Sequence, residues 1–403
     1  MALNDTKQIK WGDGTNSSVG EQIRKDYYHK MALIEAVREQ YFQPLADVTS
    51  MPKHFGKTIK KYHMLPLLDD RNVNDQGIDA AGATISNGNL YGSSKDIGTI
   101  NAKLPLLSET GGRVNRVGYS RLVLEAQLEN LGFFHEFTDE ALNFDTMDDL
   151  YQHISRELVR GASEITEDVL QIDLLNGAGV IYFGGDATQD TEMTGEDGAT
   201  ASVITYEDLQ RMSIQLDDNR TPKSTKILTG SRMTDTSTIG AGRVLYVGSE
   251  LQMQIEKMTD AFGNKAFVPV EQYAYAGDYK KGVNMIHGEI GKVGQFRIVV
   301  VPEMTHWAGA GKAVTTNGGY RETSGKYDIF PMLCIGSESF TTIGFQTSGK
   351  SFKFKIITKM PGEGVAQHHD PFGRTGFSSI QWYYGTLILR PERIALAKTV
   401  AEL

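Results

Sequence analysis

TMDDLYQHISRELVRGASEITEDVLQIDLLNG, Thr146 to Gly177, carries the strongest helical signal in the chain and organises what surrounds it. Leu150, Ile154, Leu158, Ala162, Ile165, Val169, Ile172 and Leu175 recur at steps of three and four, the spacing of one helix face. Thr146 with Asp149 three residues on makes a capping-box-like start, and Asn176-Gly177 makes a stop. About 30 residues at ~1.5 Å each give a rod of roughly 45 Å, well beyond the usual three to four turns.

Upstream of the rod the chain is mostly extended. Lys53 to Leu68 and Val114 to Phe137 read as two long strands, the second with Leu122, Leu124, Ala126 and Leu128 on one face and Glu125, Gln127 and Glu129 on the other. Between them lies RNVNDQGIDAAGATISNGNLYGSSKDIGT, 71–99, too poor in apolar residues to build a core. Two strands with such a tip describe a projecting hairpin, and a loop of this length in a compact domain is usually functional. Before the hairpin, Ile23, Tyr27, Met31, Ile34 and Tyr41 recur at helical spacing up to Pro44, with Arg24, Lys25, Glu35, Arg38 and Glu39 on other faces. One apolar stripe on a terminal helix needs a cover, from its own chain or from a neighbour.

Downstream, the Gly- and acid-rich FGGDATQDTEMTGEDG, 183–198, leads into a mixed region. Thr205 with Asp208 caps a helix over TYEDLQRMSIQL, KILTG and RVLYVG read as strands, SELQMQIEKM as a helix, and VGQFRIVVVPEM as a buried strand ending at Pro302. The last 75 or so residues are largely extended. The whole order predicts an α+β chain, with no internal repeat of 20 to 50 residues.

The 403 residues can bury a large core, and 40% apolar with 23% charged residues is ordinary for a globular protein. A net charge of −9 argues against wrapping nucleic acid through a basic face. The single cysteine, Cys334 in IFPMLCIG, reads as a small buried hydrophobe rather than a nucleophile. No signal peptide or membrane-spanning window is apparent, which predicts a cytoplasmic origin.

One stretch matches a nucleotide-binding pattern letter for letter. GFQTSGKS, Gly344 to Ser351, fits the P-loop, which works only between a strand and a helix whose N-terminal amides hold phosphates. Here Phe352, Lys353, Phe354, Lys355 and Ile356 alternate with the period of a strand, so the motif is expected to be a hairpin turn over Thr347, Ser348 and Gly349. AGAGK, 308–312, lacks the first glycine and a following Ser or Thr and reads as a loop. His368-His369-Asp370 reads as a polar loop, and Asp149 with His153 as a surface pair. No GxSxG elbow or metal signature occurs, so neither catalysis nor a cofactor is expected.

The order of arm, long hairpin, rod helix, mixed insert and closing strands resembles the major capsid proteins of tailed double-stranded-DNA bacteriophages with the Hong Kong 97-type fold. The ending DPFGRTGFSSIQWYYGTLILRPERIALAK, 370–398, resembles one group within it, typified by the N-four coliphage coat protein, with Asp370-Pro371, Gly373, Gly376, the aromatic cluster Trp382 to Tyr384 and a closing strand. The resemblance implies an N-terminal arm over 1–48 and an E-loop hairpin with flanking strands over 49–137. It implies a P-domain spine helix and following loop over 138–202, an A-domain over 203–327, and P-domain strands with a closing segment over 328–403.

By the same resemblance the chain would self-assemble into hexamers and pentamers of an icosahedral head enclosing genomic DNA without sequence-specific binding. A portal, and scaffolding and decoration proteins, would be its other partners, with assembly in the bacterial cytoplasm. Lys57, Lys60, Lys61, Arg113, Arg116 and Arg121 of the hairpin would pair with acidic residues of a neighbour, such as Asp139, Glu140, Asp148 or Asp149. No residue pattern supports a Lys-Asn crosslink, so none is expected. The alternatives are a P-loop NTPase of the packaging-motor type using Gly344 to Ser351, or a portal or decoration protein.

Overall fold

A computed structural model describes residues 16–17, 20–21, 40–51, 56–64, 101, 109, 121–144, 150–196, 200–228, 236–239, 242–275, 288–345, 354–362, 364 and 370–403. The expected arm helix, apart from Tyr41, and the hairpin tip lie outside these residues, as do the cap at Thr146 and the turn at Thr347 to Gly349.

In chain order come β1 (Asn16–Ser17), β2 (Gly20–Glu21), β3 (Asp47–Met51), β4 (Thr58–Met64), β5 (Arg121–Gln127) and β6 (Glu129–Thr138). A short helix, Asp139–Phe144, and the long helix, Leu150–Asn176, follow, then β7 (Val180–Phe183) and the helix Tyr206–Asp218. Next are β8 (Thr225–Leu228), β9 (Thr236–Ile239), β10 (Arg243–Gly248), the helix Gln252–Glu256, β11 (Phe267–Pro269), the helix Val270–Tyr275, β12 (Glu289–Val293) and β13 (Phe296–Val301). The remainder is strand: β14 (Glu322–Thr323), β15 (Lys326–Tyr327), β16 (Phe330–Ile335), β17 (Phe340–Phe345), β18 (Lys355–Lys359), β19 (Thr375–Tyr384), β20 (Thr386–Ile388) and β21 (Ile394–Thr399).

The main sheet has seven strands in the order β11-β12-β13-β10-β16-β21-β7. Its central strands β13, β10 and β16 are mostly apolar, with Arg243 at the start of β10 and Arg297 in β13 the charged exceptions, because both faces are covered. Val244, Tyr246, Leu333, Ile335, Ile394 and Leu396 face the long helix through Leu158, Ala162, Leu170 and Leu174. The alternate residues Leu245, Val247, Met332, Cys334, Ala395 and Ala397 face the other way, onto Leu209, Met212 and Leu216 of helix Tyr206–Asp218. Cys334 is buried as the sequence suggested, and burial pushes its thiol up to about 12. Helix Tyr206–Asp218 begins with the expected capping box, Thr205 and Asp208 each bonding the other's backbone N–H. The sheet takes β7 from before residue 203 and β16 and β21 from after 327, so the boundaries expected at those positions cross one continuous sheet.

The long helix forms as its period predicts, but its buried line differs from the expected one. Leu158, Ala162, Thr166, Leu170 and Leu174 are buried, whereas Ile165 and Ile172 are exposed. Steps of four advance the line by about 40° each, so the covered face rotates away from Ile165 and Ile172 along the rod. The helix also meets the sheet β18-β19-β6, whose inner residues Ile380, Trp382 and Tyr384 join the same core. Phe133 and Phe354 meet Trp382 edge-on at 6.1 and 5.8 Å, a favourable aromatic geometry.

A third sheet, β20-β17-β3, pairs β17 parallel to β3 and antiparallel to β20. The strand expected after Lys350 is present as β18, but the hairpin expected around Gly344 to Ser351 is not formed by its flanking strands. β17 pairs with β3 and β20, and β18 pairs with β19, so the two belong to different sheets. Apolar alternation cannot choose between an adjacent and a distant partner.

Candidate assembly surface

β4 and β5 pair antiparallel in register from Thr58↔Gln127 to Met64↔Arg121 and form a sheet of their own. An isolated two-stranded ribbon is marginal in water, so its base must be anchored. Leu128 N–H donates to Lys57 C=O at 2.9 Å, and Leu128 is buried with Met51, Ile343 and Leu387. Ile59, Leu124 and Ala126 extend this small core along one face of the ribbon. Leu128 is also where the chain leaves the ribbon and enters β6 of another sheet.

The ribbon's other face points away from that core. It carries the directly opposed pair Tyr62↔Val123 and the pair Met64↔Arg121, with Tyr62 53% and Met64 61% exposed. The Arg121 guanidinium lies 4.5 Å from the centre of the Tyr62 ring. Below them Lys60 pairs with Glu125 at 2.5 Å, and the hydrogen bond that the ammonium donates to the Glu125 carboxylate raises the Lys60 pKa. Both partners are half exposed, where such a pair contributes little stability.

The charged residues expected to meet across subunits therefore fall into distinct situations. Lys60 and Arg121 are engaged within the ribbon, while Lys57 and Lys61 are exposed and make no ion pair among the described residues. Glu140 lies 3.4 Å from Arg374, both exposed, and the Asp139 carboxylate accepts from Asn143 at 2.9 Å. Among the described residues the basic and acidic sets make no ion pair with each other. Arg113, Arg116, Asp148 and Asp149 lie outside the described residues.

Glu167 and Asp173, both on the long helix, are anchoring residues that the sequence did not single out. Glu167, on the long helix, accepts the backbone N–H groups of Tyr41, Phe42 and Gln43 at 2.8, 2.7 and 3.3 Å. Beside them a cavity of about 560 Å³ opens between this segment and the helix, with Tyr41, Phe42, Val159 and Val301 among its lining residues and Arg160 and Glu164 at its polar side. Tyr384 donates its hydroxyl to Asp173 at 2.6 Å and accepts from Thr386 at 2.6 Å, and burial foremost raises its pKa.

The terminal motif is a built turn. The Asp370 carboxylate accepts both the N–H and the hydroxyl of Thr375, at 2.9 and 2.7 Å, and the hydroxyl bond is the main cause of its lowered pKa. Arg374 C=O accepts the Asp139 N–H at 2.8 Å, tying this turn to the end of β6. Gly376 is required by space, because a Cβ there would stand 2.6 Å from the Phe137 ring and 2.8 Å from Lys359 O.

Among the described residues no group of three or more His, Cys, Asp or Glu could hold a metal, and no helix is long and apolar enough to cross a membrane. The second P-loop-like stretch, 308–312, is a loop in which Gly309 N–H donates to Asp328 at 2.6 Å.

Comparison with known proteins bears on the whole chain. Residues 122–398 match the family model described as phage capsid protein. The major capsid protein of Pseudomonas phage KPP21 is 56% identical over 408 residues, covering all of both chains. Among solved structures, the capsid of Ralstonia phage GP4 aligns with a TM-score of 0.58 at 11% identity, over 95% of this chain and 97% of that one. The mature capsid of bacteriophage PhiM1 aligns at 0.51 and 11% identity, over 98% and 96%. The head of Helicobacter pylori bacteriophage KHP40 aligns at 0.51 and 10% identity, over 97% and 98%. At such identities these neighbours speak to the fold, and the family rests on the model and the full-length relative: the chain belongs to the phage capsid proteins.

Proposed function

We propose that this chain is the major capsid protein of a tailed phage, forming hexamers and pentamers of an icosahedral head around double-stranded DNA. The observation that carries the reading is the 56% identity, without gaps in coverage at either end, to a major capsid protein. In this reading the fold is of the Hong Kong 97 type. Residues 1–48 are the arm, the β4–β5 ribbon is the E-loop within 49–137, and the helix Leu150–Asn176 is the spine within 138–202. The insert 203–327 is the A-domain, sharing the seven-stranded sheet with the strands of the closing part, 328–403.

Three features support a role in a shell of identical copies. The ribbon is anchored at its base by a small core but presents Tyr62, Val123 and Met64 outward, so it is built to be covered by something beyond its own chain. The rod shares one core with residues of two sheets, a stiff unit suited to bearing load. Ile165 and Ile172 add a second apolar line on the rod's uncovered side. Many copies of such modest contacts suffice, because multivalency multiplies them.

The basic residues of the ribbon then act between subunits, with Lys57 and Lys61 the first candidates because Lys60 and Arg121 already have partners. A portal, and scaffolding and decoration proteins, would complete the head. Expression of the chain in bacteria followed by negative-stain electron microscopy tests the reading. Shells, capsomers or tubes are expected; a protein that stays monomeric with and without the other head proteins of its phage would refute it.

A further inference from the structure

Two turns more than 100 residues apart are built alike. Asp260-Ala261-Phe262-Gly263 and Asp370-Pro371-Phe372-Gly373 both read Asp-x-Phe-Gly. In each the Gly N–H donates to the Asp C=O, at 3.0 and 3.1 Å, and the glycine has positive φ, 78° and 59°. In each the Asp carboxylate accepts backbone N–H groups beyond itself: those of Phe262 and Asn264 at 2.9 and 2.8 Å, and that of Thr375 at 2.9 Å. A Cβ on Gly263 would meet nothing within 4 Å, so glycine serves the backbone there and not the packing.

The consequence of both constructions is the same. Phe262 is 89% exposed and Phe372 84%, the highest values among the large apolar residues described. A scattered exposed apolar residue needs no explanation, but here the carboxylate is taken up by the turn's own N–H groups and the ring is held out on a fixed backbone. An aromatic side chain pre-positioned this way loses little freedom on contact, which is the character of an interface anchor.

The two turns also stand on different parts of the molecule. Phe262 follows the helix Gln252–Glu256 beside the seven-stranded sheet, and Phe372 precedes β19 at one end of the sheet β18-β19-β6. Identical subunits joined by one head-to-tail contact close into a ring or run into a filament; a shell needs contacts in more than one direction. One anchor on each of two parts meets that requirement.

We propose that Phe262 and Phe372 are aromatic anchors, each burying against a neighbouring copy of this chain in the assembled head. The inference rests on the capsid reading above and adds two contact points to it. Hydroxyl-radical footprinting read by mass spectrometry, on intact shells and on folded subunits released from them, tests it. Both rings are expected to be several-fold less oxidised in shells, and either ring remaining as reactive in shells as in free subunits overturns the proposal.

A paired variant supplies the second arm. Phe262→Ser with Phe372→Ser should keep the wild-type thermal midpoint, since both rings are exposed in the subunit, yet yield few shells, while Phe262→Leu with Phe372→Leu restores them. Shells at wild-type yield from the Ser pair also overturn it. If the wild-type chain stays monomeric with and without the other head proteins of its phage, the capsid reading itself fails; if shells form with both rings reactive, only the anchors do.

Discussion

The carboxylate of Glu167, midway along the long helix, accepts the backbone N–H of Phe42 at 2.7 Å. The same oxygen takes Tyr41 N–H and its partner oxygen takes Gln43 N–H, so one side chain fixes the point where the N-terminal part of the chain meets the rod. Bonds to an ionised acceptor are the stronger kind, and here they hold three donors at the entry to the short 3-10 turn Gln43–Leu45.

Glu167→Ala leaves those donors without this acceptor and is expected to cost about 1–3 kcal/mol in urea denaturation of the subunit. Glu167→Gln keeps one acceptor oxygen and should fall between. Amide exchange at residues 41 to 43 should quicken in both variants; unchanged exchange would show that the carboxylate does not hold the segment.

Gly376→Ala places a Cβ 2.6 Å from the Phe137 ring, 2.7 Å from Pro361 and 2.8 Å from the Lys359 carbonyl oxygen. Overpacking of this kind is expected to cost about 1–3 kcal/mol, read as a lower thermal midpoint. An unchanged midpoint would mean that β18 and β19 can separate without penalty.

Asp217 gives a pH prediction. Burial alone would raise its pKa, but hydrogen bonds from Arg243 at 2.5 Å and Lys223 at 3.1 Å outweigh this and hold it below the ordinary 3.8. A carboxylate with a depressed folded pKa contributes stability that is complete above its unfolded value and lost as pH falls through the folded one. The stability difference between wild type and Asp217→Asn should therefore be constant near neutrality and shrink below pH 3.8. A difference that grows with acidity would contradict the assignment.

For the ribbon, Lys61→Glu and Arg121→Glu are expected to lower shell yield by about tenfold or more, because a small loss per contact is repeated around the lattice. Circular dichroism and the subunit's thermal midpoint should stay at wild-type values. Normal yields would remove these side chains from the interface.

How far the sequence revealed this molecule follows from the range of each interaction. The rod and the capping box at Thr205 and Asp208 were legible because helical contacts repeat within four residues. The central strands were legible as apolar runs. Their partners were not: β17 lies parallel to β3 with Thr341 opposite Asp47, and nothing local in Gly344 to Phe345 marks that distant pairing. Glu167 reads as one more polar residue on a helix until Phe42 is folded back onto it. The charges near the hairpin were visible, but their pairing within the ribbon depends on register, which places Lys60 opposite Glu125. The motif around Asp370 suggested a family and shares its Asp-x-Phe-Gly letters with Asp260 to Gly263, while the turn geometry common to both emerges only from the hydrogen bonds.

The central claim is that copies of this chain form the wall of the head. Electron cryomicroscopy of heads purified from infected cells tests it most directly. The account predicts that this chain fills the whole lattice, with six-fold and five-fold capsomers and each β4–β5 ribbon lying on an adjacent subunit. A wall built from another polypeptide, with this chain absent or confined to a single vertex, would contradict it.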